Sequence, residues 1–508
     1  MKRTPVFVLA LAAVCSAALY DDSLTVNSSY INNTWGKAYV LKNDLCTLSI
    51  MPDIGGRVMS YCLGTHNFSY VIPGENKNND PSFFTGGGFM TWPAPQDTFG
   101  WPPTPILSSG KDTVTVVSNT ADSVVILLKS KAEVSPSKAV GLVFRKMYTF
   151  YKASSRVKVD VRLVNTSAST ITQTSIREVA PVLAQHNNSS DWSNFHAYFP
   201  KGTSPQDGTR GFWNTMGSFS AEQFTVDNTA GVVDFRYSSS GHGARIAAHP
   251  ASQWLAYQDS LEGYTFVQKA LYQPTATYLE YGGAVIIMYL DSWIEAELCS
   301  PGKDIAPNDS LQFVSNWYAT KLAGAVRAVN NAGAIKDSLF VNALSGTFTG
   351  TYGVFHQGTV KICFNGQTTP AKEIPVSPLA TFTLNDTVTI PASSGTVSLL
   401  LYNSDGVFVD TLDSKVFRTV ATEVPASSLI PRGVSVGIHN NKLRVTVPGG
   451  GDVKVRLTSL SGKTVIEAAF AHGTFRPIDL SELAPGNYLV TVETGVQRYA
   501  FMVPVFVH

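Results

Sequence analysis

Val157-Lys158-Val159-Asp160-Val161-Arg162-Leu163 alternates aliphatic and charged side chains without a break. Successive side chains of a β-strand point to opposite faces, so this run sends its aliphatic residues to a core and its charges toward water. The same period returns in Leu443-Arg444-Val445-Thr446-Val447 and in Val453-Lys454-Val455-Arg456-Leu457. Helical periodicity is nearly absent, and clusters of Gly, Asn, Asp, Ser and Pro punctuate the runs. The chain is therefore expected to be all-β, built from antiparallel sandwiches.

Aromatic usage divides the chain. All 8 tryptophans lie between Trp35 and Trp317, and after Ala323 the composition turns to Ala, Val, Thr, Ser and Gly. A large first domain is expected at residues 19–323, a linker from Gly324 to Asp337, and a second sandwich at 338–421. A second linker from Thr422 to Pro431 precedes a small β module at 433–508. For 508 residues this fits a prior of about three domains.

A formal net charge of +1 with 15% charged residues leaves no electrostatic footprint for nucleic acid or anionic lipid. At the start, Lys2-Arg3, an apolar run from Val6 to Val14 and small residues at Cys15-Ser16-Ala17-Ala18 read as an export signal over residues 1–18. That apolar run is too short to span a bilayer and no later segment is long enough, so no membrane span is expected. A monomer is expected.

Four further cysteines follow, at 46, 62, 299 and 363, in no zinc-binding spacing. A hairpin turning at Pro52-Asp53-Ile54-Gly55-Gly56 would set Cys46 opposite Cys62 and permit a disulfide. Two free buried cysteines are the alternative. With no His-Glu-x-x-His, EF-hand or phosphate-loop pattern, neither metal nor cofactor is expected.

The stretch Gly86 to Pro103 holds two tryptophans, Trp92 and Trp101, four prolines and the pair Gln96-Asp97. Its prolines remove donors and its glycines admit close backbone approach, so it reads as a rigid loop and not as an ordinary strand or helix. Indole faces beside amide and carboxylate groups suit a sugar ring, whose CH groups stack and whose hydroxyls bond to polar atoms. The structural alternative is a stiff corner plugging the end of a sandwich.

Four ordered stretches carry a resemblance: Ile50-Met51-Pro52-Asp53-Ile54-Gly55-Gly56-Arg57-Val58; the Trp-Pro-Ala-Pro-Gln loop; Arg156 to Asn165 followed by Thr174-Ser175-Ile176-Arg177-Glu178-Val179; and Trp293-Ile294-Glu295-Ala296-Glu297-Leu298-Cys299 leading into Asn316-Trp317. They resemble the galactose-mutarotase-like β-supersandwich, and within it an uncharacterised bacterial branch. The resemblance implies a carbohydrate groove and, if catalytic, cofactor-independent mutarotation or epimerisation of an aldose. That chemistry needs a base at the anomeric hydroxyl and an acid at the ring oxygen. In the family these are a glutamate on a late strand and a histidine. Glu295 and Glu297 are the base candidates: two apart on a strand, both face the same way, onto either a concave wall or a solvated edge. His196, in Asn194-Phe195-His196-Ala197-Tyr198-Phe199, is the acid candidate, with His186 and His66 behind it. Arg57 and Arg177 could supply bidentate bonds to sugar hydroxyls or a uronate carboxylate, or else form structural ion pairs. Trp92, Gln96, Asp97 and Trp101 complete the expected binding set. A non-catalytic glycan-binding or structural surface protein is the alternative function.

The final module pairs Val455-Arg456-Leu457-Thr458-Ser459-Leu460-Ser461-Gly462-Lys463-Thr464-Val465 with Asp479-Leu480-Ser481-Glu482-Leu483-Ala484-Pro485-Gly486-Asn487-Tyr488. This resembles the C-terminal sorting domain of the type IX secretion route. It implies a Gram-negative bacterial protein bound for the cell surface or the medium, with the secretion machinery as partner. A plain adhesive sandwich is the alternative.

Overall fold

The computed structural model describes residues 25–32, 36–72, 86–184, 192–238, 243–290, 292–343, 345–392, 394–418, 435–439, 442–447, 452–459, 463–471, 477–484, 486–494 and 497–505. The export signal, the second linker and His186 lie outside them. The strands that bear on the site are β1 (Cys46–Met51), β2 (Arg57–Leu63), β3 (Met90–Ala94), β4 (Val157–Asn165), β5 (Ile171–Leu183), β6 (Phe195–Pro200), β7 (Trp213–Met216), β8 (Ala244–Ala248), β9 (Val285–Tyr289), β10 (Trp293–Cys299) and β11 (Ser310–Lys321).

The chain is all-β. β4 sits inside a long antiparallel sheet, between β11 and the strand Leu142–Tyr151, with β6 further along the same sheet. Val157, Val159, Val161 and Leu163 are all fully buried, as the alternation requires, each contributing roughly 1.5–3 kcal/mol by leaving water. Arg162 is exposed, but Asp160 is covered, its carboxylate accepting the Gln312 amide at 2.8 Å. A second sheet runs β7-β8-β9-β10-β5, with β3 and Lys303–Ile305 paired along the far edge of β5. One apolar cluster, including Phe89, Phe144, Leu298 and Trp317, fills the space between strands of both sheets.

β1 and β2 form the expected hairpin, with Gly55 and Gly56 at φ 71° and 61°. A Cβ on Gly55 would come within 2.2 Å of the Ser108 carbonyl oxygen, so the turn demands glycine twice over. The turn pairs Ile50 with Val58, but a bulge at Met59 shifts the register beyond it, so that Cys46 faces Leu63 and Thr47 faces Cys62. The two cysteines therefore point to opposite faces and both are free, which excludes the disulfide.

Residues 324–337 are no linker. Ala328–Val329 and Gly333–Asn342 are paired strands that open the second sandwich, ten residues before its expected start at 338. Ala334 and Phe355 pack with Tyr198, Trp254, Tyr318 and Val326, and the Ser155 N–H donates to the Phe355 carbonyl at 2.9 Å. The described residues up to Arg418 thus form one compact unit. Its second sandwich has two four-stranded sheets, closed over Phe348, Tyr352, Leu399 and Leu401. The described residues from Ser435 onward belong to the other unit, a small sandwich around Val455, Leu457, Val490 and Val492. Among the described residues no helix is long and apolar enough to cross a membrane.

Candidate functional site

Directly opposed residues on paired strands share a face. Register alone therefore lays Met216, Arg245, Met288, Glu295 and Pro181 in one row across β7, β8, β9, β10 and β5. The next row holds Ile286, Glu297, Val179 and Met90, and the one beyond it Cys299, Arg177 and Trp92. On this face opens a cavity of about 420 Å³, lined by the first row together with Trp92, Gln96, Trp101, Arg177 and Trp293. Glu295 and Glu297 do face the concave wall.

The Trp-Pro-Ala-Pro-Gln stretch is not all loop. Met90–Ala94 is a strand at the edge of β5, where Pro93 needs no outward donor, and Gln96–Phe99 is a helical turn. This folds Trp92 and Trp101 edge to face, centroids 5.7 Å apart, with Trp101 57% exposed at the rim. The Trp92 indole N–H is buried and has no hydrogen-bond partner. Trp293 stacks on Tyr70 at 5.0 Å.

Arg177 organises the wall. Its guanidinium grips Glu297 with Nε and Nη2, the latter at 2.6 Å, and its Nη1 donates to Glu280 at 3.2 Å and to Gln96 at 3.1 Å. Glu280 in turn accepts the Gln96 backbone N–H at 2.7 Å, which ties the helical turn to the wall. Burial works against the charge on Arg177, but Glu297, Glu280 and Glu295 together hold its proton on more firmly than usual. Burial also raises Glu280 above the ordinary carboxyl range, against the pull of Arg177.

Glu295 differs from its neighbour. It lines the cavity and has no ion-pair partner among the described residues. Burial first, then repulsion from Glu297, push its carboxyl up to about 7, against Arg177, a hydrogen bond from the Trp293 side chain and Arg245. It can therefore give or take a proton near neutrality. Glu297, fully buried behind it, serves the arginine.

Of the remaining sequence candidates, Trp92, Gln96, Trp101 and Arg177 come together at the cavity, and three do not. Arg57 is wholly buried behind the wall, donating to the main-chain carbonyls of Gly87 at 3.1 Å and Ser108 at 3.4 Å, so it braces the turn and cannot reach a ligand. Asp97 points to solvent from the helical turn. His196 lies on β6 in the other sheet, bonded to Asp234 at 2.8 Å and the Ser193 carbonyl at 3.1 Å. It faces no part of the cavity, which removes it as the acid beside Glu295. Of the other histidine candidates, His66 pairs with Glu262 at 2.7 Å and is no part of the lining. Sequence reasoning missed Arg245, Glu280 and Trp293. Arg245 had one signal: a lone charge in the apolar run Ala244-Arg245-Ile246-Ala247-Ala248.

Residues 439–501 match the family described as "Secretion system C-terminal sorting domain". Solved structures similar to this chain include galactose-mutarotase-like proteins. One from Clostridium acetobutylicum is 13% identical, with 59% of this chain and 100% of that one covered at a TM-score of 0.40. The Slr1438 protein of Synechocystis is also 13% identical, covering 58% and 99% at 0.38. A galactose mutarotase-like protein of Lactobacillus casei is 7% identical, covering 56% and 99% at 0.35. No curated protein sequence matches the chain.

Proposed function

We propose that the cavity on the β5–β10 sheet is a carbohydrate-binding site of an exported protein. The sorting-domain match indicates secretion or display at the cell surface, and the export signal read at residues 1–18 fits the same route. The observation that carries the binding reading is the lining: Trp92, Trp101 and Trp293 beside Gln96, Arg177, Arg245 and Glu295. Flat indoles take the CH face of a pyranose and the polar groups take its hydroxyls.

Titration calorimetry of the full chain against a panel of neutral and acidic sugars tests this. At least one sugar is expected to bind, and Trp92→Ala and Trp101→Ala to weaken it. No binding across the panel, or unchanged binding in both variants, overturns the reading.

Mutarotation is the second reading, favoured by one observation: Glu295 faces the cavity with its pKa near 7. The reaction needs a second proton-transfer group across the ring, and among the described residues no histidine lines the cavity. Binding is therefore the primary reading. Anomeric exchange followed by proton NMR separates the two, since rates equal to buffer for every bound sugar leave binding alone. The module at 433–508 is read as a transport address. Its deletion is expected to leave sugar binding intact while the protein accumulates in the periplasm, and surface display of the truncated chain would contradict that.

A further inference from the structure

We propose that the sugar taken by this cavity is a uronic acid, its carboxylate seated on the open edge of Arg245; the proposal rests on the carbohydrate reading above.

The two guanidinium groups of the cavity are in opposite states. Arg177 is saturated, held by Glu297 through two nitrogens and by Glu280 and Gln96 through the third. Arg245 is only 6% exposed, yet it is held by a single hydrogen bond, from Nε to the Thr215 hydroxyl at 3.0 Å, and by stacking of its Cζ over the Tyr281 ring at 3.4 Å. Among the described residues no carboxylate lies within ion-pair distance of it, and both of its Nη groups are left without a protein acceptor. Buried charges are ordinarily paired, because an unpaired one keeps the cost of leaving water with nothing to offset it. The Tyr281 ring and Thr215 fix the plane of the guanidinium, so its free edge is a prearranged bidentate donor for a planar carboxylate.

The other groups have the same bias. The Trp92 indole N–H is buried at the cavity wall with no acceptor, and the Gln96 carbonyl oxygen is already taken by Arg177, which leaves the Gln96 amide hydrogens to the ligand. The lining is thus rich in unanswered donors and poor in acceptors. A hydroxyl donates as well as accepts; a carboxylate only accepts.

Glu295 is the one carboxyl of the lining among the described residues, and the groups that act on it are Glu297 on its own strand, Arg177 from β5, Arg245 from β8 and the Trp293 side chain. Its cross-strand neighbours Met288 and Pro181 carry no charge. With a pKa near 7 it is protonated below neutrality, where it neither repels an anion nor competes for Arg245. Anion binding and Glu295 protonation therefore support each other, so uronate affinity is highest below pH 7 and falls as pH rises through that value.

Calorimetry of the full chain with D-glucuronate and D-galacturonate against D-glucose and D-galactose, at pH 6 and pH 8, reads all of this. The expected result is a uronate bound at least about tenfold more tightly than its parent aldose at pH 6, the value of one bidentate charge-assisted contact, with the advantage shrinking at pH 8. In Arg245→Gln the uronate-to-aldose ratio is expected to fall to about one, and in Glu295→Gln the pH dependence is expected to vanish. Should Arg245→Gln fail to fold, Arg245→Lys serves, keeping the charge but losing the bidentate edge, with a ratio between the two. An aldose bound as well as its uronate at pH 6, or a ratio unmoved by Arg245→Gln, overturns this proposal and leaves the carbohydrate reading standing. If neither class of sugar binds, it is the carbohydrate reading that falls.

Discussion

Two sets of ion pairs in this chain use the same chemistry at opposite costs. In the last module Glu467 holds Lys454 at 2.5 Å and Arg456 at 3.3 Å, with side chains 34% to 45% exposed. At the cavity Arg177 holds Glu297 and Glu280 with all three side chains at 3% exposure or less. Water already solvates the first set, so the pairing adds little. The second set has given up hydration and stands only while every member is present. What the contrast teaches is where to look for function: charge that has been buried at a cost, next to open space, has a use that charge on a rim does not require.

The contrast breaks most sharply at Arg177. Arg177→Ala leaves Glu297 and Glu280 buried without a counter-charge, and a loss of about 3–5 kcal/mol in urea unfolding of the compact unit that contains it is expected. A loss below about 1 kcal/mol would mean that the cavity pairs behave like surface ones. Next in size is ligand affinity: Trp101→Ala at the rim is expected to raise the Kd of the bound sugar about tenfold or more, worth about 1.4 kcal/mol, with little change in Tm because that indole is largely exposed.

A further effect, spread over several pH units, should appear in stability. Glu295 has a folded pKa of about 7, and Glu178, raised by burial against hydrogen bonds from Ser315 and Trp317, stands at about 7 as well. A carboxyl group whose pKa is higher folded than unfolded favours the fold below its unfolded value of about 4.3, and that contribution is lost as pH rises through the folded value. Stability of this unit should therefore decline between those limits, and Glu295→Gln and Glu178→Gln should each flatten part of the decline. A slope untouched by either substitution would show that both groups titrate normally. The smallest effect belongs to the last module, where Glu467→Ala is expected to leave Tm unchanged in a thermal melt.

The fold was legible where period and burial agree. The run Val157 to Leu163 has a simple alternation and sits between two hydrogen-bonded partners, so reading it needed no tertiary knowledge. The β1–β2 turn was legible as well, but the bulge at Met59 was not, since one extra residue in a strand leaves no mark in composition, and that residue parted Cys46 from Cys62. The apparent linker at 324–337 misled because strands made of Gly, Ala and Asn look like connecting chain until Trp254 and Tyr318 are seen packing on them. At the site, the tryptophan-proline stretch and the Glu295–Glu297 pair announced themselves by residue type. Arg245 and Glu280 come from distant segments, and only the register across β8, β9 and β10 sets Arg245 in line with Glu295. His196 shows the opposite error: a suggestive local string on a strand that belongs to the other sheet.

Whether the cavity between Trp101, Trp293 and Arg245 is the ligand site is decided by a crystal structure of the full chain soaked with whichever sugar binds most tightly in calorimetry. A pyranose is expected in that cavity, in contact with an indole and with Arg245. The same sugar bound elsewhere with the cavity filled only by water would contradict it.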